Sequence, residues 1–194
     1  SEGPEIECVS LHDGPFSIES QADIEAVTLP LRKMVSESRN VDAFVIACYS
    51  DPGLHVCREA SEKPVFGIQE CGILTAMSRG DRFGVIALQE RSIRRHLRYL
   101  RQIGVMERLA GECAAGLSVG ESVSGKDTFE KLQAAAKQLR DSDQADTIIL
   151  GCAGMASHRA KLESAIGIPV INPVQAAVSM AMHSLLTKQQ YEKS

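Results

Sequence analysis

Two cysteines, Cys48 and Cys152, stand where chemistry is easiest to build. Each closes a short apolar run, Asp42-Ala-Phe-Val-Ile-Ala-Cys48 and Ala145-Asp-Thr-Ile-Ile-Leu-Gly-Cys152, just before a loop. A thiol at a strand end that leads into a helix lies near the helix N-terminus, whose dipole and free N–H groups favour the thiolate. A pKa below the free value of about 8.5 is therefore expected for both. Two such thiols facing each other across a cleft would bracket one carbon. Racemising a stereocentre needs a base on one face and an acid on the other, and the reverse reaction exchanges the two jobs. A pair of like groups, one thiolate and one thiol, suits that requirement, and general acid/base catalysis works best when the pKa lies near the operating pH.

Position alone leaves packing open as well, because free cysteine is among the most buried residue types. Packing is the reading taken for Cys8 and Cys113, which fall within expected strands, for Cys57 inside a helix, and for Cys71 after the polar pair Gln69-Glu70. Tyr49 and Ser50, which follow Cys48, can hydrogen-bond a substrate or satisfy the loop's own backbone. Ala153 and Gly154, which follow Cys152, are small enough for backbone N–H groups to approach a ligand and stabilise an enolate oxygen, although a lone glycine also serves a plain turn. His158 reads as a surface or cap residue, like the other histidines.

The elements that must position these thiols alternate short apolar strands with longer amphipathic stretches, the pattern of βα units and a parallel sheet. Strands are expected at Ile6 to Leu11, Ala43 to Ala47, Val65 to Ile68, Phe83 to Leu88, Cys113 to Val119, Thr147 to Leu150 and Pro169 to Ile171. Each is nearly continuous in apolar character, as strands buried on both faces must be. Helices are expected over Ile18 to Glu37, Arg91 to Ile103, Asp127 to Asp141, Ser157 to Ile166 and Val174 to Leu186. Another should start at Asp51-Pro52, read as an N-cap followed by proline at the first helical position, and run toward Glu62. Gly104 and Gly167 fit helix ends. Strands in such sheets present their ligands at the carboxyl ends, where Cys48 and Cys152 sit. The fold class is therefore α/β. A polar break at Ser78-Arg-Gly-Asp-Arg82, and the recurrence of a strand ending in cysteine, divide the chain into two similar lobes.

Composition narrows the function classes. The chain has 194 residues, 44% of them hydrophobic, a net charge of −4 and a pI near 5.8. That is enough for proper cores, and it offers no basic field for nucleic acid. Six cysteines without a secretory leader or close pairing read as free thiols, and with no C-x-x-C and scattered histidines no metal site is expected. No long apolar run or lipidation signature suggests a membrane, so a cytoplasmic protein is expected.

The segments Ala47-Cys-Tyr-Ser-Asp-Pro-Gly-Leu54 and Ile149-Leu-Gly-Cys-Ala-Gly-Met155 resemble those of the hydantoin and allantoin racemases of the aspartate/glutamate racemase superfamily. The likeness continues, in order, through Pro64-Val-Phe-Gly-Ile68, Arg82-Phe-Gly-Val-Ile86 and Gly167-Ile-Pro-Val-Ile-Asn-Pro173, nearly the whole chain. The resemblance implies two pseudo-symmetric α/β lobes, each a short parallel sheet flanked by helices, with the active site in the cleft between them. We take the first lobe as residues 1–80 plus 172–194 and the second as 81–171. It also implies no cofactor, a homo-oligomer, and catalytic cysteines at Cys48 and Cys152. Tyr49, Ser50, Ala153 and Gly154 would bind the ring of a small hydantoin-type substrate. Amino-acid racemases of the superfamily follow the first cysteine with Asn-Thr and the second with Thr-His, so Tyr49-Ser50 and Ala153-Gly154 argue against a free amino acid. Arylmalonate decarboxylases keep only the second cysteine, so Cys48 argues against decarboxylation. The relatives begin with a strand ending in Asn-Pro-Asn. No such motif occurs here, and the chain opens on Ser1-Glu-Gly-Pro, so that first βα unit is expected to be missing and the first sheet one strand short. Two further readings remain: a maleate-isomerase-like enzyme in which one cysteine adds covalently to the substrate, and a binding protein that keeps the fold without turnover.

Overall fold

The structure is a computed structural model that describes residues 4–12 and 14–191, with side chains through residue 187. Six strands, β1 (Phe44–Ile46), β2 (Val65–Gly67), β3 (Phe83–Ala87), β4 (Leu109–Ala114), β5 (Thr147–Leu150) and β6 (Val170–Ile171), form two parallel sheets. The first pairs β1 with β2, with Ile46 opposite Gly67. The second runs β4-β3-β5-β6, with Val85 opposite Ile149 and Ile149 opposite Ile171. Eight α-helices accompany them: α1 (Gln21–Glu37), α2 (Leu54–Glu59), α3 (Ile68–Met77), α4 (Glu90–Gln102), α5 (Val119–Ser124), α6 (Thr128–Asp141), α7 (Arg159–Ile166) and α8 (Pro173–Tyr191). The α/β class read from the sequence holds, as do the strands around residues 44, 65, 83, 147 and 170.

Strand periodicity explains how the second sheet is covered on both faces, since successive side chains point to opposite sides. Ile86, Ile148, Leu150 and Val170 join Leu132, Leu139 and Leu162 of α6 and α7 in one cluster. Val85, Ile149 and Ile171 join Ile68, Ile73 and Ala177 of α3 and α8 on the other face. Each fully buried Leu or Ile contributes about 1.5–3 kcal/mol of burial free energy, and these layers fix where β5 ends. The second cluster includes Tyr49 and Phe66, so it reaches from the β1–β2 sheet across to β3 and β5. Among the described residues no helix is long and apolar enough to cross a membrane.

Three expectations are corrected. Residues Ile6 to Leu11 form no strand: Ile6 and Val9 are exposed, and the segment has no ladder partner among the described residues. The strand expected at Cys113 to Val119 lies earlier, at Leu109–Ala114, and Val119 instead opens α5 behind a capping box in which Ser118 and Glu121 satisfy each other's backbone N–H groups. Glu112 hides this strand in the sequence, because its charge is neutralised only in three dimensions, by His96 of α4. Asp51 does not cap α2, which begins after Gly53 in a left-handed conformation at φ 67°. Its carboxylate caps α3 instead, accepting from the N–H of Gln69 at 2.9 Å and of Glu70 at 2.8 Å. A proline at position 52 followed by a left-handed glycine delays the helix by two residues.

Candidate active site

Cys48 leaves β1 two residues after its end, and Cys152 leaves β5 two residues after its own. Both are free and half-buried. The charge of a Cys152 thiolate acts on Cys48, and Ala153, beside Cys152, packs into the same apolar cluster as Tyr49, beside Cys48. The two strand ends that looked alike in sequence are thus brought together by the β1–β2 sheet leaning on β3 and β5.

The two thiols are held differently. The carbonyl of Cys48 accepts from the N–H groups of Ser50 at 2.8 Å and Asp51 at 3.0 Å, so the chain turns back tightly on the cysteine. Cys152 precedes a 3-10 segment, Ala153–His158, and its sulfur accepts from the N–H of Gly154 at 3.4 Å. The fully buried Ser122 of α5 sets its Oγ 3.9 Å from Cys152 Sγ while donating to the carbonyl of Val119 at 2.7 Å. Gly154 makes this possible: a Cβ there would come closer than 3.0 Å to Ser122 Oγ and within 3.2 Å of Val123 Cγ2. Gly151 likewise allows β5 to hug β3, its N–H donating to the carbonyl of Ile86 at 2.8 Å.

The expected lowering of both thiol pKa values is reversed. Burial pushes the Cys48 thiol up to about 12, reinforced by the charges of Asp51 and Cys152, and outweighs the Ser50 N–H and the Arg95 guanidinium. Burial also raises Cys152, opposed by Gly154, Ser122 and Met155. Helix dipoles act within a turn of the terminus. Here α2 starts six residues past Cys48 and Cys152 leads into a 3-10 turn, so desolvation wins.

The Tyr49 ring is buried and packs edge-on against His96, 5.2 Å between centroids. Ser50 lines a cavity of about 370 Å³ together with Asp51, Gln69, Arg95, His96 and Tyr99. Cys48 and Cys152 do not line that cavity, which lies on the α4 side of the Cys48 turn. Ala153 and Gly154 are half-buried beside Cys152. Cys57 and Cys71 are buried in helices, whereas Cys8 is exposed and outside any strand. Sequence reasoning missed Ser122, although Ser118-x-x-Glu121 is a helix-start pattern that would have revealed α5, and it missed Arg95 and the role of Asp51. Among the described residues no group of three His, Cys, Asp or Glu side chains could hold a metal ion.

Parallel sheets flanked by helices, with one free thiol just past the end of β1 and another just past the end of β5, define the α/β fold class of this chain. The Asp/Glu/Hydantoin racemase family model matches residues 1–181, and the chain belongs to that family, a family of isomerases. It is 36% identical over 182 residues to a hydantoin racemase of Pseudomonas sp. strain NS671, an overlap of 91% of this chain and 72% of that protein. The solved allantoin racemase of Klebsiella pneumoniae superposes with a TM-score of 0.87 at 30% identity, covering 91% of this chain and 74% of that one. The allantoin racemase of Pseudomonas fluorescens superposes with a TM-score of 0.89 at 26% identity, over 95% and 79% of the two chains.

Proposed function

We propose that this protein racemises 5-substituted hydantoins, allantoin included, by moving a proton between Cys48 and Cys152 without a cofactor. The observation that carries the reading is the convergence of two free, half-buried thiols from the ends of β1 and β5, each with its own hydrogen-bonding loop. The relatives' names, hydantoin racemase and allantoin racemase, supply the substrate class.

A thiolate takes the proton from the ring carbon that bears the substituent, and the bonding pair moves into the adjacent ring carbonyl as an enolate. The opposite thiol then delivers its proton to the other face, the enolate collapses, and the enzyme is left with the charge on the second sulfur. Like charges at close range do not both form, so the reactive form of the pair carries one proton between the two sulfurs. Burial pushes Cys48 up to about 12, whereas the rise of Cys152 is opposed by two N–H groups and a hydroxyl, so Cys152 is the thiol that gives up its proton first. Main-chain groups of Tyr49, Ser50, Ala153 and Gly154, in the two loops that follow the thiols, are the contacts for the ring.

Single enantiomers of allantoin and of several 5-substituted hydantoins, incubated with the protein and followed by circular dichroism, test the reading. Decay of the signal to zero for at least one compound is expected. A constant signal for all of them, alongside detectable binding, would instead favour a binding protein on the racemase fold.

A further inference from the structure

Asp51 lies three residues beyond Cys48 and is only 7% exposed. It holds a left-handed conformation, φ 42°, a strain of about 1–3 kcal/mol for a non-glycine residue that persists only where the surroundings over-determine it. Here the surroundings do so at both ends. The Asp51 N–H donates to the Cys48 carbonyl at 3.0 Å, beside the bond from Ser50. Its two carboxylate oxygens accept separately from Gln69 and Glu70, the first turn of the ten-residue α3. Gly67, the residue just before that helix, leaves the room required: a Cβ there would stand 2.5 Å from Oδ1 and closer still to the rest of the carboxyl group. The Cys152 loop has no counterpart of this device, being held by Gly154 and Ser122.

We propose that Asp51 is a positioning residue for the reaction, docking the Cys48 turn onto the N-terminus of α3 and so fixing the Cys48 sulfur on its face of the substrate carbon, while taking no part in placing Cys152. The proposal rests on the two-thiol reading and makes the two halves of the site mechanically distinct. Electrostatics agree with the geometry, since the charge of Asp51 is, after burial, the largest cause of the raised Cys48 thiol. A buried acid whose bonds served only to cap α3 would support both thiols equally through the fold.

The test is the initial rate of deuterium wash-in at the stereocentre of each single enantiomer in D2O. Cys48→Ser identifies the enantiomer whose proton Cys48 removes, because its exchange is lost while the other continues. Asp51→Asn keeps the shape but cannot accept both N–H groups. It should slow exchange of that same enantiomer on the order of 10²-fold while leaving the other within roughly threefold, the cost of displacing a reacting group by about 1 Å. Gly67→Ala, which pushes the carboxyl group from outside without removing it, should give the same one-sided loss. Equal losses for both enantiomers, or no loss in either variant, would overturn the positioning role. If Cys48→Ser leaves both enantiomers exchanging, the two-thiol reading itself falls, and that result is separate from any outcome at Asp51.

Discussion

Replacing Gly154 by alanine adds one methyl group at the most crowded point behind Cys152. That methyl would come closer than 3.0 Å to Ser122 Oγ, 3.2 Å from Val123 Cγ2 and 3.6 Å from Cys152 Sγ. Ser122 cannot swing aside, because it is fully buried and its hydroxyl is committed to the Val119 carbonyl. Either α5 retreats or the Cys152 turn opens, and overpacking of this kind costs about 1–3 kcal/mol. For a domain of this size a loss of about 2 kcal/mol lowers the melting temperature by about 4–8 °C. Opening the turn also lengthens the Gly154 N–H to sulfur bond that favours the Cys152 thiolate, so racemisation should fall about tenfold or more. Thermal or urea unfolding together with a circular dichroism racemisation assay reads both effects. The diagnostic step is a double-mutant cycle with Ser122→Ala, which removes the clashing oxygen. The combined variant should recover at least about 1 kcal/mol relative to the sum of the single changes. Additive losses, or an alanine variant as stable and active as the parent, would refute the account of why glycine stands there.

Two further outcomes follow from the buried ionisable groups. Both thiols are raised, so the thiolate is the minor form near neutrality, and kcat/KM should climb as pH rises from 7 to 9, by up to about tenfold per unit; a profile flat or falling over that range would contradict the assignment of a thiolate base. His96 and Glu112 form a buried pair whose side chains are 4% and 1% exposed, and His96→Ala, which leaves Glu112 uncompensated and removes the ring under Tyr49, should destabilise by about 3–5 kcal/mol in urea unfolding. A loss below about 1 kcal/mol would show that the pair is not structural.

What the sequence disclosed and what it hid divide along a physical line. Strands β3 and β5 were legible because both their faces are buried, leaving continuous apolar runs whose ends mark Cys152 and the β3 neighbour it lies against. Strand β1 is only half-buried up to Ile46, and Cys48 was legible because it needed only a strand end and a following loop. Strand β4 was displaced in the reading because a glycine and a charged Glu112 interrupt it, and the charge is acceptable only because His96, 16 residues earlier, comes to meet it. Helix α3 shows no strong periodicity, since Ile68, Cys71, Ile73 and Ala76 are buried around most of its circumference, and its first residue read as the end of β2. Asp51 obeyed a helix-cap pattern but capped a helix 18 residues away, a choice set by the tertiary approach of Gly67. Ser122 meets Cys152, and the charge of Arg95 acts on Cys48, only through the packing of α5 and α4. The reversed thiol pKa has the same origin: local sequence indicates helix ends, whereas burial is a property of the whole fold.

The most direct test of the two-thiol account is deuterium exchange by Cys48→Ser and Cys152→Ser on each enantiomer of a substrate that the parent protein racemises. Neither variant should racemise, and each should still wash deuterium into one enantiomer, a different one for each, because the remaining thiol reaches only its own face. Full racemisation by either variant, or exchange of the same enantiomer by both, would contradict it.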